Sequence, residues 1–195
     1  MKNKFNLINF LICFFIIIFN YNKSLADDLV IDAEEVEIKD KGNLIRGVGS
    51  VNINDNDNLL ISGDEAIYDR IQQKVEITGN VNVFNKLKNY KAKSDKVIFD
   101  RKQNLILTFD NTNINLLDRN NSNTILKLSG NYSLFNQESK NLEIKKQVTI
   151  NDYLNDYQIY SNNIFYDNST QVIQSLGETK INYQNDFLID TKDIS

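Results

Sequence analysis

The apolar positions along this chain recur in a fixed pattern. Ile31-Ala33-Val36-Ile38, Ile61-Gly63-Ala66-Tyr68, Ala92-Ser94-Val97-Phe99, Leu128-Gly130-Ser133-Phe135 and Ile159-Ser161-Ile164-Tyr166 each set four apolar or small residues at relative positions 1, 3, 6 and 8. A further copy opens at Ile189-Thr191-Ile194. Successive first positions are 30, 31, 36, 31 and 30 residues apart. Between these segments lies a second kind, which alternates with period two. Ile45-Gly47-Gly49-Val51-Ile53, Val75-Ile77-Gly79-Val81-Val83, Ile106-Thr108-Asp110-Thr112-Ile114, Leu142-Ile144-Lys146-Val148-Ile150 and Ile173-Ser175-Gly177-Thr179-Ile181 are its copies. Period two sustained over nine residues predicts a half-buried strand. A repeat of this length, met several times in register, organises the whole chain.

The first segment predicts a strand with a fault in it. Positions 1, 3, 6 and 8 cannot all face one side of a regular strand, so an extra residue or a corner must restore the facing. The small residue at position 3 suits either. Repeated faults of this kind increase twist and curl a sheet over. Turn chemistry separates the segments at Asp40-Lys41-Gly42-Asn43, Asp69-Arg70-Ile71-Gln72, Asp100-Arg101-Lys102-Gln103 and Asp167-Asn168-Ser169, as short antiparallel hairpins require. The longer interval holds a polar insertion around Asn120-Asn121-Ser122-Asn123, read as a loop. No stretch after residue 26 has a helical period. The expected fold is all-β: an elongated, twisted antiparallel β-jelly roll of two-strand repeats of about 31 residues, with ten to twelve strands. A solenoid of stacked coils is the alternative.

The start of the chain reads differently. Lys2 and Lys4 precede an almost wholly apolar run over residues 5–19, and Ser24-Leu25-Ala26 puts small residues at −3 and −1 of a cleavage point. This predicts a secretory signal peptide over residues 1–26 and a single domain over 27–195. The apolar run is shorter than the roughly 20 residues a spanning helix needs, which argues against a retained anchor. Cys13 lies inside this run and is read as one of its hydrophobes.

Composition narrows the chemistry. The chain has no His, Trp or Pro, and Cys13 is its only cysteine. The usual general base, the cysteine nucleophile and the commonest metal ligands are therefore missing from residues 27–195. No disulfide holds an exported chain of this kind, so burial and β ladders must. A net charge of −4 does not suit nucleic acid, which calls for clustered basic residues. Glu34-Glu35 and Asp64-Glu65 could suggest acid–base pairs, but neighbours on a strand point to opposite faces and are expected to be solvated. Asp69, Asp100 and Asp167 recur too widely for a calcium array and are expected to cap turns. The basic run over residues 86–93 could meet phosphates, but a solvated loop is favoured. No cofactor, metal or catalytic residue is expected.

At Ile61-Ser-Gly-Asp-Glu-Ala-Ile-Tyr-Asp69, followed by Val75-Glu-Ile-Thr-Gly-Asn-Val-Asn-Val83, the sequence resembles the OstA-like family. Ile31-Asp-Ala-Glu-Glu-Val-Glu-Ile38 and Ala92-Lys-Ser-Asp-Lys-Val-Ile-Phe-Asp100 are partial copies, whereas residues 128–150 depart most. That family includes a soluble periplasmic bridge protein, a membrane-anchored inner-membrane subunit and the periplasmic domain of an outer-membrane assembly protein. The resemblance implies a twisted β-jelly roll whose interior receives lipopolysaccharide acyl chains. It also implies modules joined edge to edge across the periplasm, with outer-membrane association as a further option. The interior expected to meet acyl chains is Ile61, Ala66, Tyr68, Val75, Ile77, Val81, Val83, Val97, Phe99, Ile114, Phe135, Ile144, Val148, Ile164, Tyr166 and Ile181. The expected assembly edges are Val30, Ile31, Val36 and Ile38 at one end, and Phe187, Ile189 and Ile194 at the other. The last copy stops before its aromatic position. This fits either an open docking edge or the front piece of a longer assembly protein. A structural or adhesive envelope protein, expected to be packed solid, is the competing function; a carbohydrate-active enzyme is a third, and the convergent carboxylates it would want in one cleft are not seen.

Overall fold

A computed structural model describes residues 29–55, 58–118, 120, 122–170, 172–183 and, for the backbone, 187–191. The expected export signal lies outside the described residues. Twelve strands form one antiparallel sheet: β1 (Val30–Asp32), β2 (Glu35–Lys39), β3 (Leu44–Asp55), β4 (Leu59–Asp69), β5 (Lys74–Asn85), β6 (Tyr90–Asp100), β7 (Leu105–Leu117), β8 (Thr124–Asn136), β9 (Leu142–Asp152), β10 (Tyr157–Asp167), β11 (Val172–Tyr183) and β12 (Phe187–Thr191). From β3 onward each strand pairs with its sequence neighbours, while β1 and β2 share β3, one on each half of it. The first segments of the repeat are β4, β6, β8 and β10, and the alternating ones are β3, β5, β7, β9 and β11.

Every long strand is faulted at its middle. The ladder between β4 and β5 jumps from Ser62↔Asn82 to Glu65↔Thr78, and that between β5 and β6 from Thr78↔Lys96 to Val81↔Ser94. The same jump recurs through β10 and β11. The sequence pattern locates the fault at the small residue of the first segment. The structure gives the left-handed residues to the strand beside it: Gly49-Ser50, Gly79-Asn80, Asp110-Asn111, Lys146-Gln147 and Gly177 have positive φ. Two left-handed residues in succession turn the strand without changing its phase, so the alternating segment keeps its period through the corner. The small residue is needed because it faces that corner. A Cβ on Gly63 would lie 2.5 Å from Ile77 Cγ2, and one on Gly130 2.6 Å from Ile144 Cγ2. Where serine stands there, its hydroxyl is put to use: Ser94 Oγ donates to carbonyls of the neighbouring corner, at 2.7 Å from Phe109 O.

The acidic residue after the small one belongs to the same device. Asn80 Nδ2 donates to Asp64 Oδ2 at 3.0 Å, Asn111 Nδ2 to Asp95 Oδ2 at 2.7 Å, and Ser50 Oγ to Glu34 Oε1 at 2.8 Å. These exposed carboxylates hold the polar left-handed residue of the next corner. The turn aspartates act as expected: the amides of Gln72, Gln103 and Ser169 donate to Asp69, Asp100 and Asp167 at 2.9, 3.0 and 2.9 Å.

One sheet cannot bury its own face, yet Val75, Ile77, Val81 and Val83 of β5 are all buried, on both sides of its corner. The corners fold the sheet along its midline, so the two halves of each strand face each other with the apolar positions between them. This is the jelly roll that the pattern predicts. It is unclosed: among the described residues β12 pairs only with β11, and β1 and β2 only with β3.

Candidate functional site

Folding along the corner line brings two margins together. One carries the turns after β3, β5, β7 and β9, the other those after β4, β6, β8 and β10. They meet directly near the first repeats. Arg101, in the turn after β6, reaches Asp55 at the end of β3 with Nη2 3.2 Å from Oδ1, and its Nη1 lies 3.5 Å from the Tyr68 hydroxyl. Further along, the Tyr90 and Phe135 rings meet edge to face across the margins, 5.9 Å between centroids.

What the margins enclose changes along the axis. Between β3 and β6 the interior is solid: Val51, Val75, Ile77 and Val97 are completely or almost completely buried, and Phe99 fills the space between them at 2 % exposure. Beyond Tyr90 and Phe135 the halves separate around a partly open apolar cavity of about 330 Å³. Leu116, Leu126 and Ile150 line it from one margin and Leu142, Tyr166 and Ile173 from the other, with Ile114, Leu128, Ile144 and Ile164 deeper in. The polar groups on the wall are few. Thr108 and Ser133 lie at the fold line, bonded to each other at 2.8 Å. Burial raises the pKa of the Tyr90 phenol, and the Asn85 side chain beside it only partly offsets that.

Of the expected interior residues, Val83, Ile114, Phe135, Ile144, Ile164 and Tyr166 line this cavity. Ile61, Ala66, Tyr68, Val75, Ile77, Val81, Val97, Phe99 and Val148 are buried in the packed core outside it, and Ile181 is half-buried against that core. Tyr90, Leu116, Leu126 and Tyr157 also line the cavity and lie outside the expected set. Their signal was present, since each extends a named apolar row by two residues in the same phase. Thr108 and Ser133 were noted as members of the pattern but not as part of a site.

The expected edges divide in the same way. Val36 pairs with Gly47 and Ile38 with Ile45, in register with the buried Ala66 and Tyr68, so they continue the inner face. They are nevertheless 52 % and 66 % exposed, because the inner face runs out uncovered there. Val30 is exposed, and Ile31 packs against the core. Phe187 and Ile189 lie in β12 opposite Tyr183 and Ile181, and Ile194 is outside the described residues. The basic run is split: Lys91 lies over the Phe84 ring, 5.5 Å from its centroid, and Lys86 and Lys88 are exposed at the turn after β5.

No family profile and no curated protein matches this sequence. Among solved structures it is similar to LptH of Pseudomonas aeruginosa, described as the LptA-homologous periplasmic component of the lipopolysaccharide transport device. The two align with a TM-score of 0.51 and 14 % identity, over 62 % of this chain and 86 % of that one. At this identity the likeness concerns the backbone: the chain has the LptA-like, OstA-like β-jelly-roll fold.

Proposed function

We propose that this chain is a periplasmic lipopolysaccharide-binding module, conducting lipid A acyl chains along its interior as one segment of a transport bridge to the outer membrane. The observation that carries this reading is the apolar cavity between the two margins. A packed jelly roll has no reason to leave 330 Å³ of apolar volume unfilled, since each buried methylene that filled it would contribute about 0.8 kcal/mol. An acyl chain supplies those methylenes, and phosphorylated sugars stay in water at the margins. Movement along the cavity needs no chemistry, because its wall is apolar almost throughout. The exposed inner residues Val36 and Ile38, and the outer sides of β1, β2 and β12, which pair with no other strand among the described residues, support association with related modules through edge strands.

A photoreactive residue at Leu126, on the cavity wall, is expected to label with lipopolysaccharide, and one at Val97, in the solid part, is not. Absence of labelling at Leu126 under conditions that label a known carrier would overturn the proposal. The solid packing between β3 and β6 favours a second reading, in which the chain is a structural or adhesive envelope repeat. On that reading neither position labels, and an acyl fluorophore is not taken up.

A further inference from the structure

The interior contains two buried hydroxyl trios at related places in the repeat, and they differ in one respect. In the first, Thr108 Oγ1 lies 2.8 Å from Thr112 Oγ1 and 2.8 Å from Ser133 Oγ. In the second, Ser161, Ser175 and Thr179 bond among themselves, and two of them also reach the backbone: Ser161 Oγ donates to Asn163 O at 3.2 Å and Thr179 Oγ1 to Gly177 O at 3.1 Å. The second trio has carbonyl acceptors for its protons. Among the described residues the first bonds to no carbonyl.

Each hydroxyl brings one proton and each contact uses one. Three protons shared over two contacts leave one O–H without an acceptor. Three arrangements are possible: the free proton is on Thr112, on Thr108 or on Ser133. Thr112 is outside the cavity wall, whereas Thr108 and Ser133 form part of it. Two of the three arrangements therefore present a donor to the cavity, and an acceptor placed there would select them. The equivalent positions in the neighbouring repeats are apolar (Ile77 and Val81 before, Ile144 and Val148 after), so the hydroxyls are a local departure from the repeat. A buried donor without an acceptor is costly, and an acceptor placed in the cavity would relieve that cost.

We infer that Thr108 and Ser133 form a polar subsite for an oxygen carried on the acyl cargo, a chain hydroxyl or an ester carbonyl, so that oxygenated chains are held in preference to plain ones. This rests on the acyl-cargo reading above. The test is displacement of a fluorescent acyl probe from the full chain by myristate and stearate, and by β-hydroxymyristate and a mid-chain hydroxystearate. At least one hydroxylated chain should bind about five-fold more tightly than its parent, the ordinary contribution of one hydrogen bond. Either hydroxyl alone still leaves a proton for the cavity, so Thr108→Val and Ser133→Ala combined should erase that ratio. Ser175→Ala, in the satisfied trio, should lower stability without changing the ratio. Equal binding of both hydroxylated chains and their parents by the unaltered protein would overturn the inference and leave the acyl-cargo reading standing. If no chain displaces the probe and the probe itself does not bind, both fall. If the ratio survives both cavity-wall substitutions, the oxygen is recognised elsewhere and the assignment to this trio is wrong.

Discussion

A paired substitution of alanine by leucine tests the division of the interior. Ala92 lies near the start of β6 on the cavity wall, opposite Val83 and Ile114, which also line the cavity. Ala66 is in β4 between Gly47 and Ile77, at 1 % exposure. There is little room over Gly47, because a Cβ on that residue would be 3.1 Å from Ala33 Cβ and 3.7 Å from Val51 Cγ2. Leucine adds three carbons in either case. At Ala92 those carbons enter empty apolar space, where burial contributes up to about 2 kcal/mol at 0.8 kcal/mol per methylene. At Ala66 they must displace packed neighbours, for which overpacking costs about 1–3 kcal/mol. For a chain of this size 1 kcal/mol moves Tm by about 2–4 °C. Ala66→Leu is therefore expected to lower Tm by about 2–12 °C, while Ala92→Leu leaves it unchanged or raises it by a few degrees. Calorimetry reads both, and acyl-probe uptake should fall for Ala92→Leu alone. Equal destabilisation by the two substitutions would show that the cavity is closed in solution and that the interior is uniformly packed.

Other expectations follow from the corners, the turns and the core. Asp64→Ala removes the acceptor for Asn80 at an exposed corner and should cost about 0.5–1.5 kcal/mol by chemical denaturation. Gly63→Ala drives a Cβ to 2.5 Å from Ile77 Cγ2 and 3.2 Å from the Thr78 carbonyl, and should cost about 1–3 kcal/mol, more than Asp64→Ala. Phe99→Asp places an unpaired carboxylate in the solid part and should abolish cooperative unfolding; a variant that unfolds cooperatively with unchanged Tm would mean that this row faces water. Burial tends to raise the pKa of Asp152, but hydrogen bonds from Asn155, Leu154 and Tyr157 outweigh it and hold the carboxyl below its ordinary 3.8. A depressed folded pKa gives stability that is present above 3.8 and lost as pH falls through the lower folded value. The deficit of Asp152→Ala against the unaltered chain should thus be full at neutral pH and shrink in acid; a constant deficit would refute the cause.

The repeat was legible because its two ingredients are local. Apolar phase marks which residues face inward, and the slip between Ile61 and Ala66 marks the fault, so strand number, pairing order and the folding over of the sheet followed from spacing alone. The position of the left-handed pair was less legible. Asp110-Asn111 and Lys146-Gln147 occupy corners without any glycine, and only the pairing register shows that they align with Gly79-Asn80. Where along the interior the cavity lies was not legible. Phe99 and Phe135 hold the same place in the repeat, yet the first is enclosed and the second lines a void. That difference comes from how far apart the facing halves stand, which no single row of side chains records.

The separation between fold and interior explains how such a module can change cargo. Corners and turns are held by Asp64, Asp95, Asp69 and Asp100 with asparagines and backbone amides, at the surface or along the margins. The inward rows contribute apolar area but not register, because the corners already fix it. Substitutions such as those that place Thr108 and Ser133 on the cavity wall can therefore appear without disturbing the ladder. The Arg101–Asp55 contact shows the limit of that freedom. It bridges the margins where the interior is solid, with both side chains largely buried, at 21 % and 12 % exposure. Removing one partner would leave the other charge poorly solvated, at a cost of the order of a few kcal/mol. If the margins part to pass a chain through the first repeats, Arg101 and Asp55 must separate and find water. Arg101→Gln with Asp55→Asn should then ease passage through that half while leaving uptake at the cavity unchanged. Photolabelling at Val97 should increase in the double variant and remain absent in the unaltered chain. A double variant that stays dark at Val97 would mean that the solid half does not open, and that cargo enters and leaves through the cavity alone.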